Sequence, residues 1–479
     1  MGRSTPPSYF IEIFGFNVAT SAVTQGGAIG VPSNLESRDA HPAFLWHSRR
    51  SLVTMPAPAD PKAGRVAFTH PAFKLFQIAR FLIVAAVEMQ AVAVGWQVYE
   101  ITKRPLDLGL VGLAQFLPGI MLFPISGHAS DRFERRDVLS ACYAGYGLCF
   151  TLLLVLAQRS VQSVSAIYVV LVLIGVVRSF NGTASRSILT QLVPEKHFPN
   201  AVAWNATVFQ AATILGPSFG GVLYALFRGP SAVYGTALVT AIVALVSTFR
   251  IQPTEQARAR EPMTFKTAFA GLRYIWRKKL ILGAISLDLF AVLLGGAVAL
   301  LPVYAREILH TGPWGLGLLR SAPGVGAAVM AVVLAHRPLR GRSGVALLWS
   351  VAGFGVFTIV FGVSRSLAVS LAALLLLGAS DMISVIIRAT LTQLATPDEM
   401  RGRVTAVDMI FIGTSNEFGQ FESGLTAQWF GTVPAVVLGG VGTLVVIAVW
   451  AWFFPELRNA GELTSIKSPR LADPSDAAG

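Results

Sequence analysis

The chain reads Arg186-Ser-Ile-Leu-Thr-Gln-Leu192 and, 202 residues later, Arg388-Ala-Thr-Leu-Thr-Gln-Leu394. Both copies of the pattern R-x-x-L-T-Q-L stand at the end of a long apolar run. Further matches recur at the related offset of 205, namely Val98-Tyr99 with Val303-Tyr304, Gly112-Leu113 with Gly317-Leu318, and Pro118-Gly119 with Pro323-Gly324. So many matches in the same order are improbable by chance. The sequence therefore predicts two parallel copies of one structural unit.

The composition indicates whether this chain folds in water or in a lipid bilayer. Of its 479 residues, 53% are hydrophobic and 13% charged, whereas soluble proteins average about 25% charged. Mean hydropathy is +0.61. These values exclude a disordered chain, a coiled coil and ordinary water-soluble enzyme domains, and they predict a polytopic membrane protein. The two cysteines, Cys142 and Cys149, share one apolar run, so they predict neither a disulfide framework nor a metal site.

Apolar runs of bilayer-spanning length begin near residue 73, and a span needs about 20 residues. We therefore predict an all-α membrane protein with 12 transmembrane helices in two pseudo-symmetric six-helix halves, residues 73–250 and 280–455. Between them, residues 251–279 form a polar linker with an amphipathic helix at the membrane surface. The predicted spans are 73–99, 108–128, 137–157, 164–188, 201–226, 230–250, 280–305, 314–336, 344–363, 366–390, 404–430 and 433–455.

Lysine and arginine in the loops predict the orientation. The loops that follow even-numbered spans hold eighteen of them, and the loops that follow odd-numbered spans hold six. Basic loops remain in the cytoplasm, so both termini and the central linker are expected there. The net charge of +13 is thereby a topology signal, and no nucleic-acid partner is expected.

The two terminal segments are polar. Residues 1–72 are expected to be a partly disordered cytoplasmic segment. Residues 1–54 lack a signal-peptide pattern, and Met55, which opens a polar leader, is an alternative start. Residues 456–479 are expected to be a disordered tail.

The loop after the second span reads Gly127-His-Ala-Ser-Asp-Arg-Phe-Glu-Arg-Arg136. It resembles the G-x-x-x-D-R-x-G-R-R motif of the major facilitator superfamily, with Glu134 where that family has glycine. The resemblance implies a cytoplasmic gate built from Gly127, Asp131, Arg132, Arg135 and Arg136. The alternative is plain anchoring by positive charge.

The fifth span contains Gly216-Pro-Ser-Phe-Gly-Gly221, which resembles the antiporter motif of proton-coupled exporters in the same superfamily. A proline kinks a helix and glycines allow close packing, so a hinge or a seal against leak is expected. The residues in question are Gly216, Pro217, Gly220 and Gly221. The alternative is glycine-rich packing with no meaning for antiport.

Ionisable residues inside spans mark candidate sites, because each costs about 2.5–3.5 kcal/mol at the centre of a helix unless it pairs or lines a cavity. The candidates for proton coupling or the substrate cavity are Glu88, Arg178, Asp288, Asp381 and Glu417. Arg178 maps onto Ser380 in the second copy, so we expect Arg178 and the adjacent Asp381 to form a central pair. The alternative is that some of these residues only hold neighbouring helices together.

Over residues 73–455 the chain resembles the enterobactin-exporter-like group of bacterial major facilitators, the transmembrane secretion effectors. The resemblance implies proton-driven export of a small amphipathic, siderophore-like or drug-like molecule across the bacterial cytoplasmic membrane by alternating access. The expected partners are the lipid bilayer and that substrate. A lipid or lysophospholipid flippase of the same fold and a non-transporting receptor or scaffold remain alternatives.

The other expectations concern oligomeric state, chemistry and energy source. A monomer is expected. No catalytic or metal-binding spacing of residues is present, so the sequence indicates neither an enzyme nor a metal site. No phosphate-binding loop occurs, so the proton gradient, rather than ATP or a bound cofactor, is the expected energy source.

Overall fold

A computed structural model describes residues 63–159, 163–252, 265–337, 339 and 341–461, and the regular secondary structure in this part of the chain is all helical. The first six predicted spans correspond to six long helices, α1 (Pro71–Thr102), α2 (Pro105–Arg132), α3 (Arg135–Gln158), α4 (Val164–Leu192), α5 (Phe198–Leu226) and α6 (Ser231–Phe249). A shorter helix, α7 (Phe265–Arg277), precedes the second set. That set comprises α8 (Lys279–Gly295), the single turn α9 (Leu301–Val303), α10 (Gly312–His336), α11 (Ser343–Val363), α12 (Leu367–Leu394), α13 (Asp398–Phe430), α14 (Thr432–Phe453) and the short α15 (Pro455–Arg458).

In the described part, eleven helical segments are long and apolar enough to cross a membrane. The remaining long helix is α13, which has 33 residues and so measures about 50 Å, longer than the bilayer core of about 30 Å. Its apolar character is diluted by charged residues that include Asp408 and Glu417. Because α13 packs against α2, α8 and α14 like the other long helices, it completes the twelve-helix bundle. The predicted all-α membrane fold is confirmed.

The seventh predicted span, residues 280–305, is not one continuous helix. Helix α8 ends at Gly295, and Gly296 has non-helical backbone angles (φ −72°, ψ 57°). A Cβ at Gly296 would lie 3.0 Å from the carbonyl carbon of Gly419 in α13, so the two backbones approach closely here. The chain continues through short turns to a π-helical turn, Tyr304–Ile308. The apolar sequence alone predicts a continuous helix here. The break was not predicted because hydropathy does not report the close contact between Gly296 and Gly419.

Helix packing repeats between the first half (α1–α6) and the second half (α8–α14). In the first half α1 packs on α5 and α6, α2 packs on α4, and α3 packs on α4 and α6. In the second half α8 packs on α13 and α14, α10 packs on α12, and α11 packs on α12 and α14. Between the halves, α5 packs on α10 and α2 packs on α13. Since α5 corresponds to α13 and α2 to α10, the interface is formed twice by equivalent surfaces, as a pseudo-twofold axis requires.

Two peripheral segments dock on the second half. The predicted amphipathic helix is α7, whose Gly271 lies against the backbone of Arg403 and whose Tyr274 hydroxyl donates to the Ala395 carbonyl at 2.9 Å. Trp276 on the same helix is 65% exposed. One face of α7 therefore packs on α13 and the turn before it.

The predicted tail, residues 456–479, begins later than expected. Helix α15 (Pro455–Arg458) buries Leu457 completely, and the Ser343 amide donates to the Gly461 carbonyl at 3.1 Å. Disorder was therefore the wrong expectation for residues 456–461, because one leucine in a polar segment anchors it. The predictions for residues 1–62 and 462–479, including the alternative start at Met55, lie outside the described residues.

Candidate functional site

A cavity of about 700 Å³ lies between the two halves, and we call it the central cavity. It is lined by α1 to α5 of the first half and by α10, α13 and the segment after α8 of the second. Its walls are largely aliphatic, and its charged side chains are Glu88, Arg178, Arg186, Arg320 and Glu417. A cavity of this size accommodates a drug-sized molecule.

Two ion pairs cross the central cavity from one half to the other. The Nη1 atom of Arg178 on α4 lies 3.2 Å from Oε1 of Glu417 on α13, and Gln420 donates to the other carboxylate oxygen at 3.2 Å. The Nε atom of Arg320 on α10 lies 3.7 Å from Oε2 of Glu88 on α1. Each half thus supplies one arginine and one glutamate. A change in the charge of either carboxylate would act directly on the contact between the halves.

The expected pair of Arg178 and Asp381 is not formed, because Arg178 pairs with Glu417 instead. Asp381 does not line the central cavity, and the charges that act on it are those of Asp288 and Arg388. The physical reason is helical geometry. Arg178 corresponds to Ser380, and the next residue of a helix points about 100° away from it.

Asp288 lies in a buried cluster within the second half. Nη1 of Arg388 lies 2.7 Å from Oδ2 of Asp288 on α8 and 3.4 Å from Oδ1 of Asp408 on α13. The Arg388 and Asp288 side chains are only 4% and 8% exposed. We call Asp288, Arg388 and Asp408 the second-half triad. Because its members come from α8, α12 and α13, the triad joins three helices of one half and lies apart from the cavity.

The candidate list from the sequence thus divides into two groups. Glu88, Arg178 and Glu417 meet at the central cavity, whereas Asp288 and Asp381 do not. Sequence reasoning missed Arg320, although an arginine inside a span is the same signal that identified Arg178. It also left out Arg388, the first residue of the second R-x-x-L-T-Q-L copy, because the pattern stood at a helix end.

The glycines of the G-P-x-x-G-G motif face two different neighbours. A Cβ at Gly216 would lie 2.7 Å from Cβ of Glu88, and a Cβ at Gly220 would lie 2.8 Å from Cα of Met89, so both pack against α1 of the same half. A Cβ at Gly221 would lie 2.5 Å from the carbonyl oxygen of Pro313 on α10. Pro217 lies inside α5, between these contacts. The motif therefore contributes both to one half and to the interface between halves.

Polar contacts close the cavity at one end of the bundle, the end where α1 meets α2 and α13 meets α14. We call it the odd-loop end and the opposite one the even-loop end. Nη1 of Arg306 lies 3.2 Å from Oε1 of Glu100, the Tyr99 hydroxyl donates to Glu307 at 2.5 Å, and the Tyr224 hydroxyl donates to Glu100 at 3.3 Å. The cavity extends from this closure towards the even-loop end, as far as Arg186 and Met409.

The predicted gate motif lies at the even-loop end, where α2 meets α3. Arg135 donates to the Ser187 carbonyl at 3.0 Å and to the Thr190 hydroxyl at 3.4 Å, so it binds the last turns of α4. Arg136 pairs with Asp137 at 3.2 Å, and Arg132 is exposed. Gly127 and Asp131 belong to α2, but the surroundings of Gly127 and the side chain of Asp131 lie outside the described part. Arg135 thus makes specific hydrogen bonds to α4, which anchoring by positive charge alone would not require.

Among the described residues, no group of three or more His, Cys, Asp and Glu side chains is arranged to hold a metal ion.

Comparison with known proteins agrees with the helix arrangement. A family model described as Major Facilitator Superfamily matches residues 77–419. The enterobactin exporter EntS of Citrobacter koseri is 26% identical over 395 residues, which cover 82% of this chain and 94% of that protein. EntS of Escherichia coli K12 is 25% identical over the same shares of both chains.

Solved structures show the same fold. A bacterial homologue of the human lysosomal transporter Spinster, in an inward-facing and unoccupied conformation, has a TM-score of 0.61 at 16% identity over 86% of this chain and all of that one. A D-xylose–proton symporter has a TM-score of 0.64 at 14% identity over 83% and 99% of the two chains.

Proposed function

Because the chain belongs to the major facilitator superfamily and is therefore a multi-pass membrane transporter and not an enzyme, we propose that it exports a small amphipathic molecule in exchange for protons. The observation that carries this proposal is the pair of cross-half ion pairs, Arg178–Glu417 and Glu88–Arg320, inside the central cavity. The relationship to enterobactin exporters supports the outward direction.

The proposed coupling uses the charge of the two cavity carboxylates. While Glu417 and Glu88 are ionised, each holds an arginine of the opposite half across the cavity. Protonation of a carboxylate removes its negative charge, so its attraction for the arginine falls and the halves are free to rearrange. Binding of substrate between the halves competes for the same groups. The proton and the substrate therefore occupy the cavity in turn, which is the requirement for antiport.

The proposed orientation places the even-loop end in the cytoplasm. The excess of lysine and arginine in the loops at that end supports it, and we propose the bacterial cytoplasmic membrane as the location, with both termini inside. In this orientation the conformation described above is closed towards the outside. The motif around Asp131 and Arg135 would then close the cytoplasmic side in the opposite conformation.

The test is proton movement in proteoliposomes that contain a pH-sensitive dye. With the interior acidic, addition of enterobactin or the amphipathic anion 2-naphthalenesulfonate outside should raise the internal pH, as protons leave in exchange for the probe. Glu417→Gln and Glu88→Gln should abolish this response. Glu422→Gln is the matched control, because Glu422 lies on the same helix as Glu417 but bonds Thr426 and does not line the cavity.

Two results would contradict the proposed function, and a third would contradict the proposed coupling site. Wild-type protein that moves either probe at the same rate with and without a proton gradient would be a facilitative transporter. Transfer of a fluorescent lipid between leaflets, with no proton movement for either probe, would establish the flippase alternative. A response that survives both Glu417→Gln and Glu88→Gln would move the coupling site out of the cavity, and Asp381→Asn would then be the next variant.

A further inference from the structure

We infer that Arg186, which lines the central cavity, and Arg80, which packs against the cavity-lining Phe209, form an anion-binding site at the cavity wall, so the transported molecule carries an anionic group on an apolar body that can include an aromatic ring. The inference rests on the proposed function and deepens it, because it names the chemical class of the substrate. Both arginines belong to the first half, on α1 and α4.

The charges of the cavity are unequal after pairing. Arg178 and Arg320 neutralise Glu417 and Glu88, which leaves Arg186 as the cavity-lining cation with no carboxylate within ion-pair distance among the described residues. Its described polar contact is to the Met409 sulfur, 2.9 Å from Nη1. A thioether is a weak acceptor that carries no charge. An anion in the cavity would therefore meet a cation that has not already been neutralised.

Arg80, on α1 of the same half, provides a second donor without an acceptor in the described part of the chain. Its Nε atom is buried and has no hydrogen-bond partner among the described residues. Its guanidinium carbon lies 5.4 Å from the ring centroid of Phe209, which lines the cavity. The positive charge of Arg186 acts on Arg80. Arg186 is exposed and Arg80 is half-buried, and neither has a carboxylate partner among the described residues. An anion that lies between two such cations offsets their mutual repulsion and accepts charge-assisted hydrogen bonds.

The surroundings indicate what accompanies the anionic group. Phe209 and the aliphatic side chains of Ile83, Val84 and Val87 line the cavity near this site. Arg80 is the tenth residue of α1, about 14 Å from the start of that helix, so the site lies on the even-loop side of the cavity. A free organic anion and the phosphate of a lipid headgroup share this chemistry, and the experiment must separate them.

The test is binding of a matched pair of probes to the full chain in phosphatidylcholine nanodiscs, with no proton gradient. The probes are 2-naphthoate, which is an anion, and 2-naphthamide, which has the same shape without the charge. We expect wild-type protein to bind naphthoate about tenfold more tightly, the effect of one charge-assisted hydrogen bond. Arg80→Gln and Arg186→Gln should each remove most of that preference. Arg186→Lys should retain part of it, and Arg159→Gln, at an exposed position at the odd-loop end, should leave it unchanged.

The inference is overturned if wild-type protein binds both probes equally, or if the Arg80→Gln/Arg186→Gln double variant folds and keeps the preference for naphthoate. Replacing a fifth of the lipid by phosphatidylglycerol identifies the source of the anion. A large fall in naphthoate affinity in wild type, absent from the double variant, assigns the site to a headgroup, and an unchanged affinity assigns it to a free anion. Because the binding assay needs no proton gradient, the two proposals can fail separately. If wild-type protein shows proton antiport but binds naphthoate and naphthamide equally, only the anion site is refuted. If it prefers naphthoate but shows no proton antiport, only the proposed coupling is refuted.

Discussion

Replacing Gly221 by alanine should push the two halves apart at the odd-loop end. The added Cβ would lie 2.5 Å from the Pro313 carbonyl oxygen and 2.9 Å from Cα of Gly317, and all these neighbours are backbone atoms of α10. Ordinary contact of this kind begins near 3.4 Å, so α5 and α10 must separate by about 1 Å. No side-chain rotation can relieve the overlap.

The energetic cost falls on one conformation. Overpacking of this kind costs about 1–3 kcal/mol, and it is paid only while the odd-loop end is closed. The ratio of open to closed conformers at this end should therefore rise by about 5- to 150-fold. Gly220→Ala is the matched control, because its Cβ would meet Cα of Met89 at 2.8 Å within the first half. That variant should lower the stability of the half without favouring either conformer.

The assay is the distance between spin labels at the odd-loop end. Arg228→Cys and Arg365→Cys place labels at exposed positions on the first and second halves, in a protein whose buried Cys142 and Cys149 are replaced by alanine. Gly221→Ala should increase the population of long distances, and Gly220→Ala should not. The reasoning is refuted if Gly221→Ala leaves the distance distribution unchanged, or if Gly220→Ala changes it equally.

The remaining predictions concern the second-half triad, helix α7 and the odd-loop closure. Arg388→Met leaves the buried Asp288 carboxylate and the half-buried Asp408 carboxylate without their cation and should destabilise the protein by about 3–5 kcal/mol, measured by thermal unfolding in detergent. Unfolding like that of wild type would contradict this. Tyr274→Phe removes the bond to the Ala395 carbonyl, worth about 1 kcal/mol, and should speed hydrogen exchange in α7 with no change in α1. Burial raises the pKa of Tyr274, so in wild type this donor should persist beyond about pH 10, its ordinary pKa, and loss of protection below that pH would be evidence against the bond. Arg306→Gln breaks a partly exposed ion pair with Glu100 worth about 0.2–1 kcal/mol, so it should lengthen the label distance less than Gly221→Ala does. An equal or larger increase would mean that this ion pair contributes more to the closure than the helix contact at Gly221.

The sequence by itself determined that the chain lies in a membrane, that its fold is all-α and that it consists of two similar halves. Apolar runs of about 20 residues can satisfy their backbone in a bilayer only as helices, so composition and length decide the class. The two copies of R-x-x-L-T-Q-L fixed which helices correspond. The same logic found Glu88, Arg178 and Glu417, because a charge inside a span is expensive unless it has a partner.

Only the tertiary structure decided which charges meet. Depth along a helix can be read from residue number, but the direction of a side chain relative to a second half depends on how the helices rotate and pack. For that reason Asp381, one residue from the position equivalent to Arg178, faces the environment of Asp288 and Arg388, and Glu417 takes the place expected for it. That Arg80 and Arg186 have no carboxylate partner among the described residues also has no sequence signature, because side-chain partners become visible only in the tertiary structure.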